Sequence, residues 1–301
     1  MDKLKSDMMT AIFDAVDNFD ELHIKYIQGD KLRVLLDRAT SLGKRINDIN
    51  GTRMKLLETG DNNYTILFSD DYEIPRDCSA LFSHLSKVTE VDISDMKCRG
   101  VKSVNAMFRG SWNLRRIKLP IEFDTSCVKD FSCMFEQCFR LERIDNFEFN
   151  TERSENFSYM FERCKSLSEI DLSCIKTDRC KDIRYMFSEC NSLNTLDISH
   201  FRFNNIERIN SLIDMGETLR VIKMGVLDLD ALGKIRGCLI TTCKSIKKIE
   251  VDRIIGNNVN YLIKIIENCA DNLEIHYKYI ENKDIIREEI VGYRGVKFIE
   301  I

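Results

Sequence analysis

Twelve cysteines and four histidines are the residues here that could bind a metal or run thiol chemistry, and their spacing argues against both. Zinc sites draw on closely spaced Cys or His pairs. No CxxC pair occurs, and His23, His84, His200 and His276 lie far apart. Three aspartates, Asp145, Asp171 and Asp197, recur 26 residues apart, and paired carboxylates can serve as acid and base. No Gly-rich phosphate loop, GxSxG elbow, HExxH or calcium loop accompanies them. No catalytic residue is therefore assigned, and no metal, cofactor or small-molecule substrate is expected.

The even spacing has its own meaning. Four segments repeat: MFRGSWNLRRIKL from Met107, MFEQCFRLERIDN from Met134, MFERCKSLSEIDL from Met160 and MFSECNSLNTLDI from Met186. Weaker copies start at Leu81, Leu212, Leu239 and Ile265, so that successive starts lie 26 or 27 residues apart. Such a period marks a solenoid. Counting from each start, Cys138, Cys164, Cys190, Cys243 and Cys269 all fall at plus 4. That slot wants a small, weakly polar, buried side chain, which explains the cysteines as reduced packing residues.

The other columns predict the elements of each coil. Apolar residues before the start, such as Val101 and Val104, join the start residue and plus 4 in a stripe at helical spacing, which predicts a short helix on the convex side. Apolar residues at plus 10 and plus 12 alternate with polar ones, which predicts a strand. The strands are expected to stack in parallel, centred near Val91, Ile117, Ile144, Ile170, Leu196, Ile222, Ile249 and Ile275.

The pattern MFxxCxxLxxIDLSxF, from about Leu81 to Tyr277, resembles the BspA-type leucine-rich-repeat family. The resemblance implies an α/β solenoid, a right-handed leucine-rich-repeat stack with one parallel sheet along a concave face. It also implies binding of other molecules rather than catalysis, since many relatives are surface proteins that hold host or matrix molecules.

Three regions are expected: an N-terminal cap or accessory module over 1–75, the solenoid over 76–278, and a C-terminal capping coil over 279–301. Residues 3–27 and 32–49 carry apolar residues near helical spacing, and RMKLLE and NYTILF flank Gly60-Asp61-Asn62 as a hairpin. The cap thus reads as N-terminal helices plus a β-hairpin. NKDIIREEIV predicts a helix and VKFIEI a last strand.

Residues 1–75 hold 14 acids against 10 bases and so carry the whole net charge of −4. The repeats are formally neutral, without the basic excess that phosphate binding requires, so nucleic acid is not expected as a partner. No apolar run reaches the length of a membrane span or a secretory leader, so no membrane is expected and the compartment reads as the cytosol. For an effector of viral or bacterial origin that cytosol is the host's.

A non-enzymatic protein-binding module is the reading that fits: an inhibitor, adaptor or host-directed effector. Its outward concave slots, plus 9 and plus 11, supply the candidate partner-binding residues Arg116, Lys118, Arg143, Asp145, Glu169, Asp171, Asp197, Lys223 and Lys248. They form an acidic middle between more basic coils, and their replacement is expected to cost little stability. The aspartates also fit a plain repeat column that solvates a sheet. An extracellular adhesin and an enzyme with its site in the N-terminal region remain as alternatives.

Overall fold

The computed structural model describes residues 21–49, 52–60, 63–69, 74–98, 100–235, 237–257, 269–282 and 295–301, together with 3, 4, 6–8, 11, 72, 266 and 267. The repeats form a solenoid of stacked coils whose strands pair in parallel. β5 (Val88–Asp92), β6 (Arg116–Lys118) and β7 (Arg143–Asp145) stack with Val91, Ile117 and Ile144 in register. Further along, β8 (Thr195–Ile198), β10 (Val221–Asp228), β12 (Lys248–Ile255) and β14 (Glu274–Ile280) align Leu196, Ile222, Ile249 and Ile275. β15 (Lys297–Glu300) closes the series by placing Phe298 beside Ile275. The helix expected from NKDIIREEIV lies almost wholly outside the described residues.

One expected strand is missing. Residues 168–172, around Ile170, form none, so the single parallel sheet foreseen is two sheets, ending at β7 and resuming at β8. A third, shorter ladder of β9 (Ile213–Asp214), β11 (Ile240–Thr241) and β13 (Ile266–Glu267) runs along another side of the coils.

That third ladder corrects the expected convex helix. Where a helix was read, consecutive turns close by N–H donation three residues back, as from Met107 to Val104 and from Arg109 to Ala106. Two residues of each turn chain sit at positive φ, for example Tyr159 and Arg163 (61° and 60°) or Tyr185 and Glu189 (55° and 54°). Left-handed residues cannot continue a right-handed helix. They send alternate N–H groups sideways to the next coil, as from Tyr159 to Arg184 O, Phe161 to Met186 O and Arg163 to Ser188 O at 2.8–3.0 Å. Successive three-residue turns give apolar spacings of three and four, which in sequence look like a helix.

The core is a set of columns. Phe82, Phe108, Phe135, Phe161 and Phe187, at plus 1, stack face to face with centroids 5.4–5.6 Å apart. Beside them run the plus-4 side chains, which donate to the plus-1 carbonyl of the preceding coil. Ser111 Oγ reaches Phe82 O at 2.8 Å, while Cys138, Cys164 and Cys190 Sγ reach Phe108, Phe135 and Phe161 O at 3.1–3.2 Å. The slot therefore selects a small donor. Thr125, Thr151 and Thr177 form a further buried column, each donating to a carbonyl and accepting an N–H from the next coil.

Burial pushes the Cys138 and Cys190 thiols up to about 12, from an ordinary 9.0. Burial also raises Cys164 well above that value. The unfolded chain thus loses these protons first as pH rises. Stability from the column is complete below about pH 9 and declines as pH rises above it, because the unfolded thiols ionise while the buried ones do not. The triple variant Cys138→Ser/Cys164→Ser/Cys190→Ser is expected to lose less stability between pH 8 and pH 10 than the wild type. Urea unfolding at the two pH values checks this, and equal losses would overturn it.

At the N-terminal end the expected cap is only partly helical. Leu4, Met8 and Ala11 are helical and buried, but residues 21–26 form strand β1 (Glu21–Tyr26) rather than continuing a helix. Ile12, Val16 and Phe19 lie outside the described residues. Helix α1 (Gly29–Ser41) follows, packing Leu32, Leu35, Leu36 and Ala39 on Ile27, Leu57 and Leu67. It stops before Gly43, whose φ is +71°, so Ile46 falls in β2 (Ile46–Asp48) instead. The foreseen hairpin is present as β3 (Lys55–Gly60) and β4 (Asn63–Phe68). β1 lies between β4 and β5, parallel to both, so the cap extends the first solenoid sheet.

Candidate functional site

The site grows from one irregular coil. Three coils carry an Asp-x-Ser sequence in which the aspartate accepts the serine N–H: Asp92 from Ser94, Asp171 from Ser173 and Asp197 from Ser199, at 2.9–3.3 Å. These aspartates therefore turn the chain, whatever else they do. The coil of β7 reads Asp145-Asn146-Phe147 instead. Asn146 takes the place of Leu119, Leu172 or Ile198, sits at φ 58° and donates through Nδ2 to Leu119 O at 2.9 Å. The strand stops there. Phe147 then turns towards the core between coils, 4.8 Å from Phe149, 5.9 Å from Phe161 and 6.4 Å from Phe135.

With Phe147 wedged beneath, the strand side of the stack opens. Among the described residues no backbone hydrogen bond joins 143–145 to 168–172, or 168–172 to 194–198. The opposite side stays closed, with Phe135 and Phe161 stacked at 5.4 Å. The result is a groove of about 890 Å³ whose floor carries Ile144, Phe147, Leu167, Ile170 and Cys174. Ile144 and Ile170 are only half-buried, whereas Val91, Ile117 and Leu196 in the closed strands are buried.

The rim is acidic. Glu142, Glu148, Glu169 and Asp171 line the groove with a single base, Arg143, and Arg143 is bound to Asp145. Among the described residues none of those four carboxylates forms an ion pair of 4.0 Å or less. The Ser173 backbone N–H and hydroxyl hold Asp171 below the ordinary carboxylate range, so it stays charged at neutral pH.

The other sequence-predicted residues mostly satisfy one another. Arg116 grips Asp145 through Nε and Nη2 at 2.8 and 2.6 Å. Lys118 Nζ lies 2.9 Å from both Glu90 and Asp92, and Lys25 reaches Asp92 at 3.6 Å. Burial works to raise the Asp92 and Asp145 carboxyls, but bonds from Lys118 and Ser94, and from Arg116 and Arg143, outweigh it and hold both low. Lys248 pairs with Glu250. Lys223 and Asp197 stand at 4.0 Å. Reversing Arg116, Lys118 and Arg143 would set like charges beside Asp92 and Asp145, so the expectation that these changes are nearly free of cost is corrected for those three. Of the nine residues, Arg143, Glu169 and Asp171 line the opening; Arg116, Lys118 and Asp145 are paired on the β5–β7 side of it, and Asp197, Lys223 and Lys248 lie on later coils.

Sequence reasoning overlooked Asn146 and Phe147, although the signal was present: the slot that is apolar in the neighbouring coils (Leu119, Leu172, Ile198) holds Asn146, followed by Phe147. It also overlooked the phenylalanine column, because the methionine before it served as the reference. Among the described residues no group of three His, Cys, Asp or Glu is placed to hold a metal ion, and no helix is long and apolar enough to cross a membrane.

No curated protein and no solved structure matches the chain. Residues 76–201 and 168–221 match a family model described as a Mycoplasma protein of unknown function, DUF285, so the likeness takes in the coils on both sides of the opening.

Proposed function

We propose that this chain is a non-enzymatic binding module that holds a protein partner on its strand face, with the opening beside β7 as the seat. One observation carries the reading: the sheet gives up its hydrogen bonds at a groove that combines an apolar floor with an unneutralised acidic rim. Buried sheets keep their backbone groups paired, and half-buried apolar residues in a concave site mark binding surfaces. In this reading the chain acts by occluding or recruiting its partner, as an inhibitor, adaptor or effector. Its coils are a divergent form of the BspA-type leucine-rich repeat, supported by the MFxxCxxLxxIDLS pattern and the parallel strand stack. Twelve free thiols favour a reducing compartment such as the cytosol.

The test compares two variants of equal charge change. Glu142→Lys/Glu169→Lys reverses the rim, while Glu152→Lys/Glu207→Lys reverses exposed residues elsewhere. Affinity capture from the source cells should recover one stoichiometric protein with the wild type and the second variant. The rim variant should weaken capture about tenfold, a typical loss at an interface anchor. Equal capture by all three proteins would remove the opening from the reading.

A further inference from the structure

We propose that the occupant of the opening is an extended, lysine- or arginine-rich segment of the partner, which pairs as a strand with the free edge of β7. This rests on the binding-module reading above and names the chemistry of its partner. Three independent features point the same way.

The first is backbone. β7 bonds to β6 on one side, with Arg143 N–H donating to Arg115 O at 3.2 Å and Leu119 N–H to Asp145 O at 3.1 Å. On its other side, among the described residues, no strand follows. An exposed strand edge is a template for a further strand. Here the edge lies within the run of coils, in a groove open to solvent.

The second is charge. The carboxylates of Glu142, Glu148, Glu169 and Asp171 line the same groove as that edge. A neutral or acidic strand would bury these charges unpaired, at high cost. A strand with a base at every second position would neutralise them, because alternate side chains of a strand share one face.

The third is the floor. The residues between those bases would point to the other face, towards Ile144 and Ile170, which are half-buried and packed against the main core. An apolar residue in the guest would complete what the wedge of Phe147 leaves open. Extended peptide, alternating bases and alternating apolar residues are thus three demands that a single segment meets.

The probes are three synthetic peptides: one alternating Lys with Val, one alternating Glu with Val, and a copy of the first with alternate backbone amides N-methylated. Calorimetry on the full chain should show saturable binding of the basic peptide that weakens as salt is raised. The acidic peptide should not bind, and N-methylation should weaken binding about tenfold or more, since it removes the strand donors without touching charge. Bound basic peptide should slow amide exchange at 143–145 and 168–172, and Glu142→Lys/Glu169→Lys should abolish the effect. Equal binding of the N-methylated peptide overturns strand pairing, and equal binding of the acidic one overturns the charge argument. Protection confined to other residues overturns the site. If the rim variant loses its cellular partner while the basic peptide neither binds nor competes, the inference falls and the binding-module reading stands. If the rim variant captures its partner normally, the opening is not the seat, and this inference falls while the chain remains a binding module.

Discussion

Phe135→Ala is expected to cost about 3–5 kcal/mol, the range for emptying a packed aromatic site. Its ring is fully buried between Phe108 and Phe161, at 5.6 and 5.4 Å, nearly parallel to both. Stacked aromatic pairs add about 0.5–1.5 kcal/mol each beyond the area they bury, and this substitution removes two. A solenoid holds together through nearest-neighbour contacts, so a void in a middle coil loosens the coils on either side of it. Phe139→Ala is the control. Its ring also stacks, on Trp112 at 6.3 Å, but Trp112 is 48% exposed and the pair lies at the surface. The control is expected to cost about 1 kcal/mol or less. Urea denaturation of both variants checks the contrast. A Phe135→Ala protein that unfolds within 1 kcal/mol of the wild type would show that the column is not the axis of the core.

The second expected result is a repair. Asn146→Leu with Phe147→Ser rewrites the irregular coil as IDLS, the sequence found one coil later. Leucine disfavours the left-handed conformation that Asn146 holds at φ 58°. Serine removes the wedge and gives Asp145 the N–H and hydroxyl arrangement seen at Asp171. Strand β7 should then extend, and residues 168–172 should pair with it. Amide exchange at 169–171 is expected to slow by about tenfold or more, as unpaired amides join a ladder. Capture of the partner should fall by at least the same factor, because the groove closes. Unchanged exchange at 169–171 would mean that neither Asn146 nor Phe147 causes the opening. The measurement is exchange rather than melting temperature, because Phe147 also contributes contacts with Phe149 and Phe161 whose loss works against the new bonds.

What could be read in advance follows from which interactions leave a residue-type signature. The strand columns were legible because an alternating buried side chain must be apolar, and Val91, Ile117, Leu196 and Ile222 are all buried. The turn ladder was not. Its left-handed positions hold Tyr159, Arg163, Tyr185 and Glu189, none of them a residue that favours positive φ. Bonds to neighbouring coils hold those conformations, and one coil's sequence does not record what the next coil supplies. Strand β1 was misread for a different reason. Leu22, Ile24 and Tyr26 alternate as a strand should, but apolar residues upstream at helical spacing drew the segment into one longer helix. At the site, the recurring acids were visible as a column, while the two departures that open the sheet, Asn146 and Phe147, were visible only as exceptions to it.

The seat of β1 also bears on how this molecule is made and how it can be cut. Its six residues are synthesised well before either of its neighbours, the β4 that pairs with Glu21–Tyr26 and the β5 that pairs with Leu22–Lys25. On the ribosome it must therefore wait, unpaired, until more than forty further residues have emerged. Until then both of its backbone edges, rows of N–H and C=O groups, stay unpaired. A shortened protein that begins after Tyr26 would leave the facing edges of β4 and β5 in that condition permanently, because the hairpin and the first coil would face each other across an empty row. Bare parallel edges recruit strands from other molecules, so such a fragment is an aggregation hazard and not a trimmed solenoid. Domain dissection of this chain has to carry Glu21–Tyr26 with the repeats, however far from them those residues stand in the sequence.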